Sequence, residues 1–303
     1  MKRVAAFVAL LPALFGPTGA EGRGSGGTIG AFVATAHGVV ALGSDLGARL
    51  GTIPVADPRR VAATIDARRV VVTTPRGLTV VDGRRRRVLA RIGGFGDALG
   101  VCLDFTGRWA YVADAARREL VAVDLARRRI AWRVDVGAQP EDVVLVESTI
   151  AVVAGDRVVL VDAATRDRRW LDPGRRIRAA TFAPDGVWAF VGGKDASVAK
   201  LGLVDGRVVR RIRLHAPATA LAVDATGHAL WAAEGRRAEV LSPTGRLLGS
   251  VVARAPIRQL APVGGWMALV TRGGIDMVAS PSLAPRQRFP VAGAVRSVAF
   301  VVT

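Results

Sequence analysis

A short apolar run that ends in an acidic or small residue, followed by a turn, recurs along most of the chain. It reads Leu78-Thr79-Val80-Val81-Asp82-Gly83, then Leu120-Val121-Ala122-Val123-Asp124 and Val158-Val159-Leu160-Val161-Asp162. It continues as Leu201-Gly202-Leu203-Val204-Asp205 and Glu239-Val240-Leu241-Ser242, with looser copies at Val39-Val40-Ala41-Leu42-Gly43 and Asp276-Met277-Val278-Ala279. The closing positions 43, 82, 124, 162, 205, 242 and 279 are spaced 37 to 43 residues apart. Within each run the apolar pattern has period two, which argues for strands and against a helical repeat of similar length. Short strands repeating at about 40 residues are the mark of small sheets arranged radially.

The third period resolves most clearly. Leu99 to Phe105 reads as a strand, then Trp109 to Ala113, Glu119 to Asp124, and Ile130 to Val136. The turn Thr106-Gly107 has counterparts at Asp185-Gly186 and Thr226-Gly227, where glycine supplies the positive φ that such turns need. The chain ends complete the count. Residues 28 to 33 read as a second strand with no first strand before them, and Val295 to Phe300 reads as a first strand with no blade after it. The 24 residues after position 279 and the 16 from 28 to 43 together make one further period. These observations predict an all-β fold: one seven-bladed β-propeller over residues 28–303, with four-stranded antiparallel blades. The C-terminal strand would complete the N-terminal blade and close the ring, hiding sheet edges that an open array exposes.

The first residues read differently. Met1-Lys2-Arg3 is basic, Val4 to Phe15 is apolar for 12 residues apart from Pro12, and Pro17-Thr18-Gly19-Ala20 ends in small residues. This is the three-part pattern of a secretory signal peptide, with a cut expected after Ala20. The apolar run is short for a membrane span, and no cysteine follows it for lipid attachment. Residues 21–27 read as a flexible lead-in. The expected location is therefore secreted or periplasmic, with no transmembrane span in the mature chain.

The run Ala110-Tyr111-Val112-Ala113-Asp114, with Leu120 to Asp124 and Val134-Asp135-Val136-Gly137-Ala138-Gln139-Pro140, resembles the YVTN-type repeat. Partial copies stand at Val72-Thr73-Thr74, Phe190-Val191-Gly192-Gly193 and Leu269-Val270-Thr271-Arg272. The resemblance implies a seven-bladed propeller akin to YncE-like, WD40-like and quinoprotein-like proteins, and little about chemistry. A second likeness runs from Val123-Asp124-Leu125 to Trp132 and from Val161-Asp162 to Trp170, similar to the repeat of pyrroloquinoline-quinone enzymes. The Thr-Gly pair of that repeat is replaced here by arginines.

Half of the chain is hydrophobic, enough for a sizeable core, and disorder is excluded on that ground. Arginine and lysine total 43 against 25 acids, a net charge of +18, with lysine only at positions 2, 194 and 200. A lone Cys102 excludes an internal disulfide framework. His37, His215 and His228 lie in no metal-ligand spacing, and no Gly-x-Ser-x-Gly elbow occurs. Asp82, Asp124, Asp162 and Asp205 share one repeat position and are expected to fix turns by accepting backbone N–H groups. Trp109, Trp188 and Trp266 begin second strands and are expected to pack between blades.

The central mouth is the default ligand site of such a ring. Loops leading into first strands and those joining second to third strands share that face. They carry Arg60, Arg76, Arg117, Gln139, Glu141, Arg176, Lys194, Arg258, Arg272 and Arg296 as candidate ligand-binding residues, together with Asp97, Asp156, Asp195 and Glu234. Eight cations face five acids, so an anionic ligand suits the mouth, arginine being able to bind carboxylates and phosphates in two-pronged fashion. A mouth without a specific ligand is the plain alternative. The runs Arg84-Arg85-Arg86-Arg87 and Arg127-Arg128-Arg129, with Arg168-Arg169 and Arg210-Arg211 near the same level, fall toward the rim. They either bind an anionic envelope polymer, headgroup or other polyanion, or simply form a solvated arginine-rich surface. No aromatic residues interleave with them, and nucleic acid is not expected as a partner.

The leading reading is an exported, non-enzymatic propeller that binds a small anionic ligand or a protein partner through its mouth. No catalytic residue, metal site or cofactor is called for. The alternative is a lactonase-like or quinoprotein-like enzyme, whose metal would need several of Asp97, Glu141, Asp156 and Glu234 in one shell.

Overall fold

A computed structural model describes residues 29–301. The proposed signal segment, residues 1–20, and the lead-in at 21–27 lie outside the described residues. Twenty-eight strands form seven separate antiparallel sheets of four, and the described residues contain no helix. Each sheet is one blade, and its strands run outward from the axis in chain order. Blade 3 is typical: inner strand Ala98–Leu103, second Trp109–Asp114, third Glu119–Asp124, outer Arg129–Asp135. The repeat reading of this blade holds to within one or two residues at each end.

Blade 1 is built from both chain ends. Its inner strand is Val295–Phe300, hydrogen-bonded to Ile29–Thr35, with Gly38–Gly43 and Arg49–Ile53 outside them. The Val33↔Val298 pair sits in the middle of this seam. The Val301 N–H donates to the Gly30 carbonyl at 2.9 Å just beyond it. Side chains also stitch neighbouring blades to each other's inner strands. Gln259 of blade 7 donates through Nε2 to the Val298 carbonyl (3.1 Å) and accepts the Val298 N–H (3.0 Å). The Thr73 hydroxyl of blade 2 donates to the Leu99 carbonyl of blade 3 (2.7 Å).

The core lies between blades. Seven buried apolar clusters occur, each shared by two neighbours around the ring. In the second strand of blade 2, Val70 and Val72 pack toward blade 1 while Val71 packs toward blade 3. Both faces of the second and third strands are thus covered, which is why their sequences are almost continuously apolar. Outer strands are half-solvated and carry the arginines. Trp109, Trp188 and Trp266 each open a second strand and pack half-buried against an inter-blade cluster, as their positions imply.

Candidate functional site

Alternating strand direction sends successive connections to opposite faces of the ring. Links from outer to inner strands, and from second to third strands, form the mouth face. Links from inner to second and from third to outer strands form the opposite face.

Seven of the ten candidate residues sit in mouth-face links. Arg60, Gln139 and Arg176 precede inner strands, while Arg76, Arg117, Lys194 and Arg272 occupy turns between second and third strands. The other three, Glu141, Arg258 and Arg296, are not loop residues. Each is the second residue of an inner strand: Pro140–Val146, Ile257–Val263 and Val295–Phe300. The mouth cations divide by what they touch. Arg296 is committed to Asp57 and to the Pro58 carbonyl. Arg117 is committed to Asp114 (3.3 Å) and the Gly94 carbonyl. Arg60, Arg76, Arg176, Lys194, Arg258 and Arg272 have no carboxylate within 4.0 Å among the described residues.

Two acids of this face are held by arginines outside the candidate set, while Glu141 has no cation within 4.0 Å among the described residues. Asp97 pairs with Arg59, and Asp195 pairs with Arg175, whose Nη1 also reaches Ser197 Oγ at 2.6 Å. Each of these arginines immediately precedes a candidate. In the doublets Arg59-Arg60 and Arg175-Arg176 the first member ties down an acid and the second is left over. The doublets were visible in the sequence; the division of work within them was not. Arg296 holds the carboxyl of Asp57 below its usual range, first by hydrogen bonding and then by its charge, against some burial. Arg176 lines a cleft of about 580 Å³ with Asp156, Asp172 and Arg175. Gln139 lines another of about 490 Å³ with Arg118.

The four carboxylates needed for a metal at the mouth are dispersed. Asp97 is paired, Asp156 lies 3.7 Å from Arg157, and Glu234 lies 3.9 Å from Arg237. Among the described residues no three acidic, histidine or cysteine side chains gather into a cation-holding group. Cys102 is no poised nucleophile: burial, with the Asp142 and Asp104 carboxylates adding to it, pushes its thiol far above the ordinary range.

The opposite face carries the turn aspartates and the arginine runs. Asp82, Asp124, Asp162 and Asp205 each accept a backbone N–H two or three residues on, at 2.7 to 3.0 Å, so all four fix turns. The run 84–87 does not act as one patch. Arg84 and Arg85 line a cavity of about 890 Å³ between blades 2 and 3, together with Arg68, Arg69 and Arg108. Arg86 leans instead against Gly51 of blade 1, and Arg87 already belongs to the outer strand.

Comparison of the sequence with family models and with curated proteins finds no match. Solved structures do match in shape. Hydrazine synthase of Kuenenia stuttgartiensis superposes with a TM-score of 0.68 at 15% identity, over 84% of this chain and 90% of that one. The Cps50 (Swd1) β-propeller domain of Myceliophteria thermophila superposes with a TM-score of 0.66 at 14% identity, over 78% and 88%. At such identities the likeness establishes the fold alone. The class is thereby defined: a seven-bladed β-propeller closed by its C-terminal strand.

Proposed function

We propose that this chain is an exported, non-enzymatic propeller, of YVTN type, that holds an anionic ligand or the acidic surface of a protein partner on its mouth face. One observation carries the reading. The acids of that face are mostly neutralised by arginines such as Arg59 and Arg175, while six cations around the same ring have no carboxylate partner. Unpaired guanidinium and ammonium groups on a face where cations outnumber acids attract and orient carboxylates or phosphates. The basic start, apolar run and small-residue end of residues 1–20 support export. The lactonase-like or quinoprotein-like reading has less support, because its carboxylates are dispersed.

The test uses poly-glutamate as the acidic probe. Ile257 pairs with Thr271 in blade 7, so Arg258 and Arg272 each stand one residue from that pair, at the mouth end of the blade. Replacing both with glutamine is expected to weaken binding about ten-fold or more, the worth of one or two charged contacts. Unchanged affinity in that variant would remove the mouth from the reading.

A further inference from the structure

A cavity of about 890 Å³ opens on the face opposite the mouth, where the turns of blades 2 and 3 meet. The two turns are in close contact. A Cβ added to Gly107, whose φ is +68°, would lie 2.5 Å from Thr64 Cγ2, and the Arg69 stem lies just beyond. Five arginines and two aspartates line the space. Both aspartates are already satisfied. Asp66 accepts from the Thr64 hydroxyl (2.7 Å) and the Arg68 N–H (3.0 Å), with the Arg68 guanidinium at 3.2 Å. Asp82 accepts the Arg85 N–H and its guanidinium (2.9 and 3.0 Å). Burial raises the Asp82 carboxyl, but those two bonds and the charges of Arg85 and Arg69 outweigh it and hold the group low. Arg69 and Arg108 have no carboxylate within 4.0 Å among the described residues, and Arg108 lies 5.5 Å over the Trp109 ring. The cavity therefore keeps cationic capacity that its own acids do not consume.

A second feature stands beside it. Phe105, at the tip of the blade 3 turn, is 92% exposed, and Ile65, at the tip of the touching blade 2 turn, is 64% exposed. On the same face of blade 5, Val187 and Val204 are exposed at their own turn tips. Among the described residues, no turn or loop of the mouth face presents a large exposed apolar side chain. Single exposed apolar residues are ordinary, and others stand on inner and outer strands, such as Val144, Val209 and Leu247; Phe105 and Ile65 differ in sitting together, on touching turns whose neighbouring residues line a cationic cavity.

The geometry points to a membrane-docking face: the arginine-lined cavity between blades 2 and 3 takes the phosphate of an anionic phospholipid headgroup, while Phe105 and Ile65 dip into the interfacial layer. Guanidinium groups match phosphate oxygens in two-pronged fashion. Apolar tips combined with basic residues are what interfacial binding uses. The inference does not rest on the mouth reading, since it concerns the other face.

The test is sedimentation of the full chain with vesicles of phosphatidylcholine, with and without phosphatidylglycerol, so that residues before 29 are common to every variant. The expected result is binding that depends on phosphatidylglycerol and weakens with salt. It should fall about ten-fold or more in Arg69→Gln/Arg108→Gln and in Ala126→Glu, which places a carboxylate in the cavity from an exposed position. Phe105→Ser/Ile65→Ser should lower it about five-fold, with folding unaffected because both side chains are exposed. Arg258→Gln/Arg272→Gln should leave it unchanged. The proposal is overturned if the Phe105→Ser/Ile65→Ser variant binds vesicles like the parent. It is equally overturned if the cavity variants lose no more than an Arg210→Gln/Arg211→Gln control. Tight tripolyphosphate binding lost in the cavity variants, without vesicle binding, would reassign the cavity to a soluble phosphate polymer.

Discussion

Asp114 and Asp124 stand ten residues apart at opposite ends of one blade, and both are almost wholly buried. They do different work. Asp124 is local: it accepts the Arg127 N–H (2.9 Å) and the Arg127 guanidinium (2.7 Å) and shapes the turn that follows it. Asp114 is long-range. Its carboxylate accepts the N–H groups of Gly96 and Asp97 at 2.9 to 3.1 Å, and so pins the link that leads into the inner strand of its blade. Arg117 and Arg133 supply its counter-charge from 3.3 and 3.9 Å. Only the first role repeats from blade to blade in the sequence. A carboxylate that shapes its own turn can be read from spacing. One that ties a distant segment is visible only when the segments meet.

The comparison predicts unequal costs. Asp114→Ala strips two backbone N–H groups and two arginines of their buried partner, and is expected to lower stability by about 3 kcal/mol in urea unfolding. A loss below about 1 kcal/mol would show that Asp114 is not the tie described here. Asp124→Ala removes a turn-fixing bond and should cost about 1 kcal/mol. The Asp124 carboxyl is held below its usual value of 3.8, first by the Arg127 N–H. A lowered folded pKa contributes stability that is present above the unfolded value and lost as pH falls through the folded one. The contribution of Asp124 should therefore be lost as pH falls below about 4, and Asp124→Ala should make the decline of stability with falling pH shallower there. Smallest of all, Arg127→Gln should change stability by less than about 0.5 kcal/mol, since that side chain is well exposed and its ion pair is screened. A cost approaching that of Asp114→Ala would erase the distinction between local and long-range aspartates.

Much of the fold was legible. The 40-residue period named the blade, and the unmatched strands at 28–33 and 295–300 named the closure, because each lacked a partner within its own repeat. The apolar core was legible too, since second and third strands read as near-continuous hydrophobic runs. The site was legible only as a face. Placing Arg60 and Arg176 on the mouth follows from strand direction, but the arginines beside them, Arg59 and Arg175, are chemically identical in sequence. Arg69 and Arg108 carry no signal in the sequence, because each belongs to a different blade. Their shared cavity exists only once the turns 64–67 and 104–107 touch.

Close approach between blades follows the same logic. Gly100 in the inner strand of blade 3 has no room for a side chain, because a Cβ there would lie 2.6 Å from Asp142 Cα of blade 4. Nothing in the local sequence distinguishes it from the open Gly93, which meets nothing within 4 Å.

By itself the sequence determined the period, the number of blades, the ring closure and the turns fixed by Asp82, Asp124, Asp162 and Asp205. Those are properties of adjacent residues, set by alternation and short-range hydrogen bonds. The tertiary structure alone decided which arginines are spent on Asp57, Asp97, Asp114 and Asp195 and which remain free. It also decided that Arg69 and Arg108 share a cavity with Phe105 and Ile65 at its edge. Charge pairing depends on distances of a few ångströms across blade junctions, and those distances come into being only when the ring closes.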